Sequence, residues 1–230
     1  LQASKALKVN ILAVAAAVLE MDAAQLDVSG NAVVDKLTGV VRMPLSEVGR
    51  VAYFRPDTLP MDFQSELTVT RHYTPREYGF TFTNGIQASY VEVDPETGFV
   101  KLLKHWCVED CGTILNPMLV DEQLRGGVVQ GLGGALLEEC LYSPEGQMLN
   151  GSMADYLVPM AFEMPDIEIA HVCTPTKTSE LGAKGAGEAG TAGAPGAVMN
   201  AVNDALQPLN GNVVEQPITP ERVLVALGKI

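Results

Sequence analysis

The sequence is poor in aromatic residues, basic residues and long apolar runs. Aromatic residues make up 6% of its 230 residues, and 15 Lys and Arg stand against 28 Asp and Glu, for a formal net charge of −13. Because phosphate-rich surfaces are bound by positive fields, this charge argues against a nucleic-acid partner or an anionic membrane surface. The longest apolar run, residues 11–19, has nine residues, whereas a membrane span requires roughly 20.

Cysteine and histidine are also scarce and scattered. Cys107 and Cys111 are four residues apart, whereas Cys140 and Cys173 are isolated, and the three histidines are far from one another. A structural zinc site needs two ligand pairs with short internal spacing, and a plant-type iron–sulfur cluster needs a tighter run of cysteines. The sequence therefore predicts neither a disulfide framework nor a metal held by side chains alone.

Apolar residues supply 47% of the chain and charged residues 19%, which is ample for a buried core. At roughly 150 residues per domain, the length fits one large domain or two small ones, and we expect any subdivision near residues 75–85. No secretory leader is visible, so we expect a soluble, cytoplasmic protein. The chain opens on Leu1 in a helical pattern that has no cap, which indicates a piece of a longer polypeptide.

The apolar periodicity changes several times along the chain, and the alternation of blocks predicts an α+β fold rather than a doubly wound sheet. Pro75 is expected to break the chain after a strand, and Pro195 to begin a helix. The predicted helices cover residues 1–20, 44–54, 117–139 and 195–206, with a last one that begins at Pro220. The predicted strands are short ones within 23–41, then 66–73, a hairpin of 88–94 and 99–108, and 165–172.

A glycine-rich segment at residues 180–191 contains Gly185, Gly187 and Gly190 in the spacing G-x-G-x-x-G. A dinucleotide fingerprint should directly follow a buried strand, and Glu188 inside it would repel a pyrophosphate, so that interpretation is disfavoured. Glycines on both sides instead allow Glu188 to meet a large ligand as a general base. A glycine-rich turn with an exposed glutamate explains the same residues, and the pattern alone leaves both alternatives open.

Two further segments follow the predicted hairpin. Residues 110–117, DCGTILNP, lead from a strand into a helix, which suits either an anion held by backbone N–H groups or an ordinary turn capped by Asn116. Residues 123–134 place five glycines in a predicted helix, where each costs about 1 kcal/mol relative to alanine. Such a cost indicates close packing against a bulky cofactor or against another backbone.

Taken together, these segments resemble the C-terminal part of the molybdopterin-binding large subunit of the molybdenum hydroxylases. This is the xanthine dehydrogenase and aldehyde oxidase family, and the resemblance is greatest to the bacterial carbon monoxide dehydrogenase large-subunit type. It covers almost the whole chain, from the opening helix to Gly228, and implies that residues 1–230 are the C-terminal part of one molybdopterin-binding domain. The residues that carry it are DCGTILNP at 110–117, QLRGG at 123–127, QGLG at 130–133, GAKGAGEAG at 182–190 and TPER at 219–222.

The resemblance implies a molybdenum ion held by the dithiolene of a pterin, in bacteria usually as the cytosine dinucleotide, with no metal ligand from this chain. It implies hydroxylation of an aldehyde, an N-heterocycle or carbon monoxide with oxygen from water, and Glu188 as the base. The residues implied to contact the cofactor are Cys111, Gly112, Thr113, Asn116, Gln123, Lys184, Gly185 and Gly187.

The same resemblance implies partners. The remainder of the large subunit, an iron–sulfur subunit and a flavin subunit would complete an oligomeric enzyme that acts on a small molecule. The isolated chain would then be inactive, because it supplies the base and only part of the cofactor pocket. The alternative is a non-catalytic cofactor-binding or assembly module of the same fold.

Overall fold

A computed structural model describes residues 1–74 and 80–230, and the chain divides into two units, residues 1–74 and 75–230. The predicted break at Pro75 lies outside the described residues. The described residues combine helices with two three-stranded sheets, one in each unit. The predicted α+β class is therefore confirmed.

The first unit consists of two helices and an antiparallel sheet. Helix α1 (Gln2–Leu19) precedes strands β1 (Leu26–Ser29), β2 (Ala32–Asp35) and β3 (Val41–Pro44), which pair in that order, and helix α2 (Leu45–Phe54) follows. The predictions of both helices and of the short strands are confirmed. The core of this unit is formed by residues of both helices, all three strands and one residue beyond them, namely Val14, Ala15, Leu26, Val33, Met43, Val48, Val51, Ala52 and Leu59.

Helix α1 is, among the described residues, the one helix long and apolar enough to cross a membrane by length and composition. It has 18 residues and a mean hydropathy of 1.3. Val14 and Ala15 are buried in the core of the first unit. A core helix of a soluble protein meets the same criterion, so the helix does not by itself identify a membrane span.

The strand predicted at residues 66–73 is wrong. These residues belong to no strand, although their side chains alternate between half-buried and exposed positions from residue 65 to 70. The carbonyl of Glu66 accepts a hydrogen bond from the Asn10 side chain (2.9 Å) instead of from a neighbouring strand. A period of two predicts how side chains alternate, but a strand also needs a backbone partner.

The second unit packs helices on a mixed sheet. Strands β4 (Asn84–Val93) and β5 (Val100–Asp110) form the predicted antiparallel hairpin, and β6 (Ile167–His171) pairs in parallel with β5. Between β5 and β6 in sequence lies helix α3 (Pro117–Leu136), and Asn116 caps it as predicted, accepting a bond from the Leu119 N–H (3.3 Å).

Helix α4 (Ala189–Leu206) begins six residues earlier than predicted, so Pro195 lies inside it rather than at its start. The prediction took the proline as a first helical residue, where its missing N–H does no harm. Packing against α3 supports the extra turns despite their glycines. The final helix, α5 (Pro220–Ala226), begins as predicted and is capped by Thr219.

Helices α3 and α4 meet through glycines. A Cβ placed on Gly190 would lie 2.3 Å from the Leu124 carbonyl oxygen, and one on Gly131 would lie 2.8 Å from the Thr191 carbonyl oxygen. Thr191 Oγ1 also donates to the Gly127 carbonyl (3.0 Å). Close packing against another backbone therefore accounts for glycines at 127 and 131 of α3.

Candidate functional site

A cavity of about 590 Å³ lies in the second unit, beside the first turn of α4. One wall is the glycine-rich segment and the beginning of α4. The opposite wall comes from the residues that lead into β4, from the first residues of β4 and from one residue of β5. The lining residues are Phe80, Thr81, Phe82, Thr83, Asn84, Gly85, Gln87, Glu109, Gly185, Ala186, Gly187, Glu188, Ala189, Ala192 and Gly193.

Glu188 occupies the N-cap position of α4 and lines the cavity. Its side chain is exposed and does not cap the helix. The neighbouring glycines leave room around it, because a Cβ on Gly187 would meet nothing within 4 Å and one on Gly185 only the Thr81 carbonyl oxygen at 3.4 Å. The segment therefore presents to the cavity a carboxylate that makes no hydrogen bond to a described residue.

Three neighbouring elements hold this segment in place. The Gly185 N–H donates to the Thr81 carbonyl (2.9 Å). From α3, Gln123 Nε2 donates to the Gly187 carbonyl (2.7 Å). From β4, Gln87 Nε2 donates to the Gly190 carbonyl (3.0 Å). A loop with this much glycine has little rigidity of its own, so these bonds define where Glu188 lies.

A buried polar cluster lies next to the segment, at the end of β5. Asp110 is 4% exposed and accepts bonds from the Thr174 hydroxyl and N–H, from the Gly112 N–H (2.9 Å) and from Lys184 Nζ (3.0 Å). These bonds, above all those from Thr174, hold the pKa of the Asp110 carboxyl well below its usual range. Lys184 Nζ also donates to Thr174 Oγ1 (2.8 Å), so its ammonium group bonds two members of this cluster.

Residues 111–113 and 182–184 contact each other through their backbones. The Lys184 N–H donates to the Cys111 carbonyl (2.8 Å), and the Thr113 N–H donates to the Gly182 carbonyl (3.0 Å). Gly112 has a φ of +69°, and a Cβ there would lie 2.3 Å from the Gly182 oxygen, so only glycine fits. Burial raises the pKa of the Cys111 thiol, which keeps it protonated.

The structure separates the predicted site residues into two groups. Glu188, Gly185 and Gly187 line the cavity, and Gln123 contacts their segment. The others do not line it: Cys111, Gly112, Thr113 and Lys184 form the backbone bridge and ion pair described above, and Asn116 caps α3. The predicted roles of all these residues toward a cofactor stay predictions.

Phe80, Phe82, Gln87 and Glu109 are among the cavity residues that were not singled out from the sequence. Phe80 and Phe82 are exposed, with ring centroids 6.1 Å apart and planes 13° from parallel. Gln87 and Glu109 lie on the face of the sheet that packs against the helices. Glu109 is 4% exposed, and burial raises the pKa of its carboxyl. In the sequence, the one signal for Gln87 and Glu109 was a polar residue at a strand position that faces the protein interior.

Gly85 makes room for Glu109. The two residues are partners in the β4–β5 register, and a Cβ on Gly85 would lie 2.3 Å from the Glu109 carboxyl carbon. Thr83 Oγ1 donates to Glu109 Oε2 (3.1 Å). The cavity therefore has two carboxyl groups in different surroundings, with Glu109 buried and Glu188 exposed.

Comparisons with known proteins agree with this architecture. Residues 1–165 match the molybdopterin cofactor-binding domain family. The chain is 39% identical, over 98% of its length, to the nicotine 6-hydroxylase large subunit of Paenarthrobacter nicotinovorans. It is 30% identical, over 75% of its length, to the carbon monoxide dehydrogenase large chain of Afipia carboxidovorans. These alignments cover 27% and 21% of the two relatives.

A solved structure gives the same result. Quinoline 2-oxidoreductase from Pseudomonas putida 86 superposes on 99% of this chain with a TM-score of 0.73 and 36% sequence identity, over 29% of its own length. The chain thus spans less than a third of the length of the relatives it matches. By sequence and by fold, it belongs to the molybdopterin cofactor-binding domain family of the molybdenum hydroxylases.

Proposed function

We propose that this chain is part of the catalytic subunit of a molybdenum hydroxylase, in which Glu188 is the general base for oxidative hydroxylation with oxygen from water. The observation that carries the proposal is the placement of Glu188, whose carboxylate lines a cavity at a helix N-terminus within a glycine-rich segment. An ordinary exposed turn would not need bonds from three separate elements to hold it.

The residues present fit a molybdopterin cofactor. Gly185 and Gly187 expose their backbone where a side chain would fill the space. In residues 1–74 and 80–230, no three His, Cys, Asp or Glu side chains are grouped so that they could hold a metal, so molybdenum there would be held through the dithiolene of the pterin. We propose the cytosine dinucleotide form. When bound, this cofactor supplies the acceptor for two electrons.

The role of Glu188 is to take a proton. Its carboxylate makes no hydrogen bond to a described residue, so an Oε atom is free to accept the proton of the water that supplies the oxygen atom. A general base must come within hydrogen-bond reach of that proton. The bonds on Gly187 and Gly190, on either side of Glu188, restrict where the carboxylate can go.

For the substrate, we propose a planar N-heterocycle rather than carbon monoxide or an aldehyde. Phe80 and Phe82 offer nearly parallel exposed rings at the cavity, and aromatic rings pack favourably on one another in offset stacks. Two relatives carry the names nicotine 6-hydroxylase and quinoline 2-oxidoreductase. The remainder of the large subunit and the iron–sulfur and flavin subunits are proposed partners.

The decisive experiment is Glu188→Gln in the full-length enzyme. The amide has nearly the same shape and fits the same glycine segment, but it cannot accept a proton. Loss of a positioned general base typically costs about 10² to 10⁴ in rate. We expect a loss in that range in single-turnover reduction of the molybdenum centre by substrate, at molybdenum content equal to wild type.

The matched control is Glu145→Gln, which alters an exposed glutamate in a turn away from the cavity. In this variant, substrate should reduce the molybdenum centre at the wild-type rate. If the molybdenum centre of Glu188→Gln is reduced at a rate within threefold of wild type, at equal molybdenum content, Glu188 is not the base. The non-catalytic module predicts that result, because a surface glutamate changes stability by a few tenths of a kcal/mol at most.

A further inference from the structure

A chain of hydrogen bonds leads from the middle of the sheet to the first turn of α4. Ser89 Oγ lies 2.9 Å from His105 Nδ1, and His105 Nε2 lies 3.1 Å from Gln87 Oε1. Gln87 Nε2 then reaches the carbonyls of Ala189 (3.3 Å) and Gly190 (3.0 Å). These two carbonyls belong to the residues directly after Glu188.

The donor and the acceptor of each hydrogen bond between Ser89, His105, Gln87 and α4 can be assigned. Backbone carbonyls only accept, so the amide nitrogen of Gln87 must face α4 and its oxygen must face His105. His105 therefore carries its proton on Nε2 and donates it to Gln87. In the neutral ring Nδ1 is unprotonated, and it accepts from the Ser89 hydroxyl. A neutral imidazole in this tautomer satisfies the polar atoms of all three side chains.

The surroundings keep His105 in that state. Its side chain is fully buried, and burial lowers the pKa of His105 to about 4. The imidazole is therefore neutral wherever the enzyme works near neutral pH. A neutral, buried donor–acceptor chain has one bonding arrangement, which makes it a rigid support.

The first turn of α4 needs such support. Gly190 and Gly193 reduce its own stiffness, and Pro195 removes the N–H that Thr191 O would normally receive. Gly193 also lets Gln87 approach, because a Cβ there would lie 3.0 Å from Gln87 Cδ. Gly193 thus makes α4 less rigid and also leaves the space in which Gln87 bonds its first turn.

We propose that Gln87 is a positioning residue, held by His105 and Ser89, which fixes the first turn of α4 and so the carboxylate of Glu188. This inference rests on the proposed role of Glu188 as the base. Its physical basis is that misplacing a reacting group by about 1 Å can cost about 100-fold in rate. Because Gln87 also lines the cavity, the test must separate positioning from substrate contact.

The experiment compares Gln87→Leu, His105→Leu and His105→Gln in the full-length holoenzyme. Leucine at either position breaks the chain. Glutamine at 105 offers one acceptor and one donor, as the neutral imidazole does, and so restores it. We expect both leucine variants to lower kcat by about 10- to 100-fold with KM within twofold of wild type. His105→Gln should recover most of that kcat.

Hydrogen–deuterium exchange of the peptide that covers residues 188–195 is the second readout. Its amides should exchange at least tenfold faster in the two leucine variants and near the wild-type rate in His105→Gln. This measurement does not require turnover, so it reports on the hydrogen-bond chain even if Glu188 proves not to be the base. If Gln87→Leu does not fold, the two His105 variants still provide both readouts.

Asn203→Leu is the matched control on the same helix. Asn203 bonds the backbone of Val213 in both directions (2.8 and 3.0 Å), so its loss should destabilise the C-terminal half of α4 and leave kcat and the 188–195 peptide unchanged. A rise in KM with kcat unchanged would make Gln87 a substrate contact and overturn the proposal. Unchanged exchange in both leucine variants, or equal losses in Asn203→Leu, would overturn it as well.

Discussion

At the scale of single residues, this protein keeps ionisable groups in fixed states through their surroundings. Asp110 stays charged because Thr174, Gly112 and Lys184 donate to it, whereas His105 stays neutral because it is buried without a charged partner. Both are fully or almost fully buried. Burial alone therefore does not determine whether a side chain is charged. The hydrogen-bond donors around it determine that.

The state of His105 predicts a pH dependence of stability. Its pKa is about 4 in the folded chain and about 6.5 when unfolded. Between these values the unfolded chain binds a proton that the native chain does not, so the free energy of unfolding falls as the pH falls. From pH 7 to pH 5 this loss is about 2 kcal/mol, at 1.36 kcal/mol per pKa unit.

Urea unfolding of wild type and His105→Gln at pH 7, 6 and 5 measures this contribution. Glutamine keeps both hydrogen bonds and does not titrate, so wild type should lose about 2 kcal/mol more than the variant over this range. Parallel curves for the two proteins would show that His105 titrates alike in the folded and unfolded chains. The difference between the proteins removes the contributions of all other groups.

At the scale of secondary-structure elements, α3 and α4 pack closely against each other. Gly190 is the tightest point, with the Leu124 carbonyl and the Val128 N–H 2.3 and 2.7 Å from the position of an added Cβ. The glycine-rich segment continues directly into this contact. The helix pair and the site are therefore built by the same residues, and a change at 190 moves both.

We predict that Gly190→Ala destabilises the protein by about 1 to 3 kcal/mol, the usual cost of forcing extra atoms into a packed interior. Gly126→Ala is the matched control, because a Cβ there meets nothing within 4 Å and position 126 lies within α3. It should stabilise by up to about 1 kcal/mol. Thermal unfolding of both variants checks the pair, and a neutral Gly190→Ala would contradict the close packing.

The sequence alone predicts those elements whose signals are local. The hairpin and the Asn116 cap depend on neighbours along the chain, and the structure confirms them. The strand at 66–73 and the start of α4 depend on partners distant in sequence, and both predictions were wrong.

The same distinction applies to the site. Glu188 stands out because a charge among glycines is visible in the sequence itself. Gln87 and Glu109 are visible only through their neighbours, since Glu109 needs the space left by Gly85 and Gln87 bonds residues about a hundred positions away. A polar residue on a strand does not reveal which helix covers it. These two were therefore missed.

At the scale of the whole molecule, the cavity of the second unit has exposed side chains in its lining. Glu188, Phe80 and Phe82 line the cavity and are exposed in this chain, although a small-molecule site usually buries about 70–90% of its ligand. The relatives are more than three times as long as the matched region. On the proposed function, further walls would come from parts of the large subunit outside residues 1–230.

The last prediction rests on this proposed division of the site and concerns the isolated 230-residue chain. A ligand that loses most of its contacts loses affinity steeply, because the cost of immobilising it stays while the gain shrinks. Produced in cells that make the cofactor, the isolated chain should retain little molybdenum by elemental analysis and show no turnover. The full-length enzyme, prepared in parallel, should contain about one molybdenum per catalytic subunit. Stoichiometric molybdenum on the isolated chain would mean that residues 1–230 hold the cofactor without help, and the missing walls would then serve the substrate alone.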